Sequence, residues 1–141
     1  MILDKLHADH LKVLSLIDEL LESDDPGLKP DDPSDEDYRM SLIMDIGEEL
    51  RSHFSTEERI VYKRLEARQV SLPLVRASYR EHREAEALLL ELQNQAESDG
   101  KWRDVAEKLR EHLAHHIRVE ETQLFPKEDF LTSPNVSQKN T

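Results

Sequence analysis

Two segments of this chain carry the same arrangement of reactive side chains. Residues 53–62 read His-Phe-Ser-Thr-Glu-Glu-Arg-Ile-Val-Tyr, and residues 116–125 read His-Ile-Arg-Val-Glu-Glu-Thr-Gln-Leu-Phe. Both give a histidine, three residues, two glutamates, three residues and an aromatic. On an α-helix, positions i and i+4 lie on one face, stacked one turn apart. His53 and Glu57 therefore point the same way, and so do His116 and Glu120. Two helices that each offer an imidazole and a carboxylate to a shared interior supply half of a metal site, and His10 and His82 are candidates to complete it. Burying several such groups in one apolar layer is expensive without a compensating charge, and a metal ion, or a pair of them, supplies that charge.

Four amphipathic stretches must position these residues. The first runs from about Ile2 to Glu22, with Leu3, Leu6, Val13, Ile17 and Leu20 at alternating steps of three and four and His10 in the one gap. Residues 24–37 hold three prolines and many acids and read as a linker. The second stretch spans about Glu36 to Ala67, with Ile43, Ile46, Leu50, His53, Glu57 and Ile60 in its stripe. After a break at Val70-Ser71-Leu72-Pro73, the third continues to about Glu97, with Val75, Tyr79, His82, Glu86, Leu89 and Ala96 inward. Ser98-Asp99-Gly100 is a turn, and the fourth stretch runs from about Lys101 to Phe125, with Trp102, Val105, Leu109, His112, His116 and Val119 inward. Pro126 follows, and Thr132 to Thr141 form a polar tail. The expectation is an all-α, up-down-up-down four-helix bundle over residues 1–126, with a disordered polar tail over 127–141.

Short connections make the second, third and fourth stretches antiparallel neighbours. Glu57 lies about ten residues before the second ends, and His82 about ten after the third begins. His82 is about fifteen residues from the end of the third, and His116 about fifteen into the fourth. At ~1.5 Å rise per residue these side chains reach similar height. His10 meets the end of the fourth helix if those two are antiparallel as well. Four histidines and two glutamates thus converge on one layer.

Composition narrows the chemistry. The net charge of −12, without a basic cluster, argues against a nucleic-acid or anionic-lipid surface. The absence of cysteine excludes disulfides, thiolate metal sites and a cysteine nucleophile. No apolar run approaches the ~20 residues that span a bilayer, and the opening Met-Ile-Leu-Asp-Lys-Leu-His lacks the pattern of a signal peptide, so a soluble, cytoplasmic protein is expected. A mixed set of six imidazole and carboxylate donors exceeds a tetrahedral zinc site, and carboxylates able to bridge fit a dinuclear iron centre. The ferritin-like Glu-x-x-His signature is absent; the order here is His-x-x-x-Glu.

This arrangement resembles the hemerythrin-like family, the HHE cation-binding domain, over about residues 3–126. The resemblance rests on Ala8-Asp9-His10, on His53-Phe-Ser-Thr-Glu57-Glu58, on Glu81-His82, and on His115-His116-Ile-Arg-Val-Glu120-Glu121 followed by Leu124-Phe125-Pro126. It implies two iron ions joined by an oxo or hydroxo bridge, with Glu57 and Glu120 bridging and dioxygen, nitric oxide or peroxide as the small ligand. One position departs from the family pattern. Oxygen-carrying hemerythrins have a second histidine four residues after the third-helix one, and here that position is Glu86. Glu86 either ligates in place of that histidine or stays outside the ligand shell; as a ligand it makes the site harder and more negative and favours the ferric state, which places sensing, iron or nitric-oxide handling, or peroxide chemistry ahead of reversible oxygen carriage.

The expected ligand set is therefore His10, His53, Glu57, His82, Glu86, His116 and Glu120. A binding protein is the first reading. A catalytic di-iron protein, reducing peroxide or oxidising a small substrate, and a mononuclear zinc or nickel regulatory module are the alternatives. His7 reads as a flanking or surface residue, and His112 as pocket or core. His115, Glu58 and Glu121 are rotated off the site and read as outward, while Tyr62 and Phe125 read as closing the core at the bundle end.

Overall fold

The computed structural model describes residues 2–22, 33–95 and 101–127. Four helical rods are present and, among the described residues, no strand. The first helix is Ile2–Glu22. The second comprises Pro33–Thr56, a π-helical stretch Glu57–Tyr62 and a last turn Lys63–Ala67, without a break in the rod. The third is Leu72–Gln95. The fourth is Lys101–Val119, continued by a second π-helical stretch, Glu120–Leu124. The first rod packs on the second and fourth, and the third packs on the second and fourth. That is the square of an up-down-up-down four-helix bundle.

The second helix opens at Pro33, inside the stretch that reads as linker. A proline suits the first turn of a helix, where its missing N–H would be unpaired anyway. The rest of that linker, the turn at Ser98-Asp99-Gly100, Ala96 and the polar tail from Thr132 lie outside the described residues. The second helix stops where Gln69 turns left-handed (φ 55°), with its neighbour Val70 N–H bonded back to Leu65 C=O at 2.9 Å. This is the turn that glycine most often makes at a helix end. Ser71, also left-handed, accepts the Val75 N–H on its carbonyl as the third helix begins.

Two apolar clusters fill the interior. The larger holds Val13, Ile17, Ile43, Ile46, Leu50, Leu89, Leu109 and Leu113, and is closed by Trp102, over which Arg39 stacks at 5.0 Å. The smaller holds Leu6, Val61, Tyr62, Leu65, Val75, Leu124 and Phe125. Between them, each rod changes from apolar to polar for about one turn. His10 sits between Leu6 and Val13, His53 and Glu57 between Leu50 and Val61, His82 between Val75 and Ala85, and His116 and Glu120 between Leu113 and Leu124. All six side chains are at most 4 % exposed. The two apolar clusters hold the rods in register, and the polar layer is what that register brings together.

Candidate metal centre

The six residues form two donor sets that share their glutamates. One is His10, His53, Glu57 and Glu120; the other is Glu57, His82, His116 and Glu120. Within each set the donor atoms lie within 4.8 Å of one another. His10 Nε2 is 3.2 Å from Glu120 Oε1 and 3.5 Å from Glu57 Oε2, and His53 Nε2 is 3.2 Å from Glu57 Oε1. In the other set, His82 Nε2 is 3.0 Å from Glu57 Oε1, and His116 Nε2 is 3.1 Å from Glu120 Oε1 and 3.1 Å from His82 Nε2. Adjacent ligands held at ~2.1 Å from one octahedral cation are separated by roughly 3 Å, so this spacing is that of a coordination shell.

A hydrogen-bonded polar core would pair these atoms, and several are not paired. His10 Nε2, His53 Nε2, Glu57 Oε2 and Glu120 Oε1 are buried without a hydrogen-bond partner. They lie at ion-pair distance but are not aligned as donor and acceptor. Buried polar atoms are rarely left so. Several in one layer, of nitrogen and oxygen type, fit the binding of a metal cation.

The outer nitrogens fix this orientation. His10 Nδ1 meets Glu121 Oε1 at 3.0 Å, His53 Nδ1 meets Asp9 Oδ2 at 3.4 Å, and His82 Nδ1 meets Glu58 Oε2 at 2.7 Å. His116 Nδ1 faces Glu81 Oε2 at 3.6 Å, an ion-pair distance. Three of the four histidines are thus hydrogen-bonded from behind by a carboxylate, which holds the ring with Nε2 inward, and the fourth, His116, has Glu81 nearby without a hydrogen bond. Each of these carboxylates neighbours a cluster residue in sequence: Asp9 precedes His10, Glu81 precedes His82, Glu58 follows Glu57 and Glu121 follows Glu120. Glu58 and Glu121, expected as outward charges, are corrected to this backing role. Their partners lie on other helices, so single-helix geometry hid them.

Proton affinities follow from the packing. Burial pushes His10 down, but contacts with Glu120 and Glu57 outweigh it and raise it to about 10. His116 is likewise raised to about 10, burial being outweighed by Glu120, Glu81 and Glu57. Burial raises Glu57, but its contacts with Glu120, His10, His53 and His82 hold it well below the ordinary carboxylate range.

Glu86 is not brought to the cluster. Its side chain is 43 % exposed and pairs with Arg83 Nε at 3.3 Å. It stands the same four residues after His82 as Glu57 after His53, but its carboxylate turns outward to the arginine. Phe54 stacks its ring on His82 at 3.9 Å and lines a surface cleft of about 220 Å³ with Arg51, Arg83 and Glu86. The harder, more negative iron environment expected from Glu86 has no support in this geometry.

His115 is exposed, as expected. His7 is 55 % exposed and reaches Glu121 at 2.5 Å. His112 is half-buried and its Nε2 bonds the Glu81 carbonyl at 2.9 Å, tying the fourth helix to the third beside His82.

Tyr62 closes the smaller apolar cluster, as expected, and its hydroxyl also reaches the centre. Its hydroxyl donates to Glu120 Oε2 at 2.5 Å and lies 3.1 Å from His82 Nε2 and 3.5 Å from His116 Nε2. The cause is the π-helical stretch Glu57–Tyr62. Its i→i+5 pattern adds a residue to the turn, so Tyr62 falls beneath Glu57 instead of roughly 140° away as on an α-helix. The second stretch, Glu120–Leu124, acts alike on the other repeat, where Phe125 stacks on His10 at 5.6 Å. The sequence signal was there: an aromatic five residues after the first glutamate in both repeats. Burial, with the Glu120 and Glu57 carboxylates nearby, pushes the Tyr62 phenol well above its ordinary value.

The family model described as the hemerythrin HHE cation binding domain matches residues 1–127. Neither the curated proteins nor the solved structures contain a match. The chain belongs to the hemerythrin HHE cation-binding family, and its His/Glu clusters are placed to hold a metal. Among the described residues, no helix is long and apolar enough to cross a membrane.

Proposed function

We propose that the chain holds two iron ions, one in each donor set, bridged by Glu57 and Glu120, and that the pair binds or senses a small ligand of the dioxygen, nitric oxide or peroxide class or handles iron. The observation that carries this reading is the sharing of the glutamates. Glu57 contacts His10 and His53 of one set and His82 of the other, and Glu120 contacts His10 of one set and His116 of the other. A mononuclear site needs no such sharing. His10 and His53 would hold one ion, His82 and His116 the other. Iron would supply a redox-active Lewis acid with room for a diatomic or peroxide ligand. The protein's own part is rigidity: the backing carboxylates fix the imidazoles, and the two apolar clusters fix the rods and exclude water. The reading includes a cytoplasmic setting and no nucleic-acid partner, the latter supported by the charge of −12.

The test is anaerobic loading with ferrous iron, elemental analysis, and visible absorption before and after nitric oxide is added. Two irons per chain and a nitric-oxide-dependent spectrum are expected. One metal per chain, or a colourless protein that takes only zinc, overturns the reading. Steady turnover of added peroxide would shift it from binder to enzyme.

A further inference from the structure

We infer that Tyr62 is a ligand to the metal in the His82/His116 set, binding through its phenolate oxygen, and that the two halves of the centre are therefore chemically unequal. This rests on the dinuclear reading above. The internal repeat makes the argument. Both repeats carry an aromatic five residues after the shared glutamate, and both are folded into π-helical stretches that deliver that aromatic to the cluster. One aromatic is Tyr62 and the other is Phe125. The two positions are equivalent in the repeat but differ by one oxygen atom.

That oxygen has the surroundings of a ligand. It is 3.1 Å from His82 Nε2, 3.5 Å from His116 Nε2 and 2.5 Å from Glu120 Oε2, three donor atoms of one set. These are the donor-to-donor separations found within the set itself. Tyr62 is fully buried, and its ring is held edge-on against Tyr79 at 5.1 Å and beside His82 at 5.2 Å. The phenol has little room to turn away. On coordination the O–H bond is exchanged for an O–metal bond, and the proton leaves to solvent, as protons do when a metal takes up an acidic ligand.

The consequence is a division of labour. The His82/His116 metal gains a fifth protein donor. The His10/His53 metal has Phe125 in the corresponding place, which offers no donor atom, and keeps more positions open. The small ligand then binds at the His10/His53 metal.

The experiment compares the full chain with Tyr62→Phe after ferrous loading and oxidation in air. Iron per chain is measured alongside visible absorption and resonance Raman spectra. A phenolate bound to ferric iron gives a charge-transfer band in the visible and tyrosinate ring modes in resonance with it. The expected result is that the unmutated protein shows both, and that Tyr62→Phe loses both while retaining two irons. Tyr79→Phe, which removes the neighbouring hydroxyl, should keep the band. Two irons in the unmutated protein without tyrosinate modes, or a band unchanged in Tyr62→Phe, overturns the inference and leaves the dinuclear reading standing. Failure to bind two irons overturns both.

Discussion

Loading of the centre should release protons, one histidine in each donor set supplying one. His10 and His116 belong to different sets, and their surrounding carboxylates raise both to about 10. At pH 7 each imidazole then carries a second proton, which must leave before Nε2 can bind a cation. The His10/His53 set should gain affinity roughly tenfold per pH unit between pH 7 and about 9, and the His82/His116 set, which also gives up the Tyr62 proton, roughly a hundredfold. The assay is calorimetric titration of metal-stripped protein with cobalt(II) at pH 7 in two buffers of different ionisation heat. About three protons should be released per two metals, one each from His10, His116 and the Tyr62 hydroxyl, and His10→Ala should remove one of them. A solvent-derived bridge adds to this count and cannot lower it. Release of fewer than one proton with two metals bound would refute the reasoning.

The same shifts fix the sign of the stability change with pH. The folded values of His10 and His116 lie above the unfolded 6.5, so their contribution is full below pH 6.5 and is lost as pH rises towards 10. Asp9, Glu57, Glu81 and Glu121 are lowered, so theirs is full above the ordinary carboxylate range and is lost as pH falls through and below it. Stripped protein should therefore be most stable at about pH 5–6. A rise from 6.5 to about 10 corresponds to roughly 5 kcal/mol per isolated histidine, as large as the whole stability of many domains. The fall in melting temperature on chelation should accordingly widen between pH 6 and pH 9.

Other expectations follow from single contacts. His53→Ala and His116→Ala should each impair the loading of one metal while far-ultraviolet circular dichroism stays helical, whereas His115→Ala should leave the metal count at its original value. Glu58→Gln removes the carboxylate behind His82 and should weaken metal binding by about 10- to 100-fold in a competition titration. Glu86→Gln, changed at an exposed residue paired with Arg83, should leave affinity unaltered. Leu109→Ala, in the larger apolar cluster, should cost about 2–5 kcal/mol in denaturant unfolding.

The bundle and the level of its polar layer were legible because both depend on one regular quantity, the rise and rotation of an α-helix. Counting from the ends of the rods placed His10, His53, Glu57, His82, His116 and Glu120 together, and the structure brings those six into two groups. The misplaced residues are those for which single-helix regularity was the wrong guide. Glu86 shares a helical face with His82 by spacing, but its carboxylate is exposed and pairs with Arg83, while Phe54 from another rod stacks on His82. Glu58 and Glu121 are turned off the face of their own rods, yet each meets a histidine on a neighbour. Tyr62 lies in the apolar cluster as expected, but its reach to the centre comes from a change of helix type that periodicity at 3.6 residues per turn cannot register. A π-helical stretch widens the turn and gives up regular α-helical bonding. Finding one in each repeat, both beginning at the shared glutamate, argues that what it gains lies at the cluster. The gain is an aromatic side chain brought under each donor set, and only in the second helix does that side chain carry an oxygen.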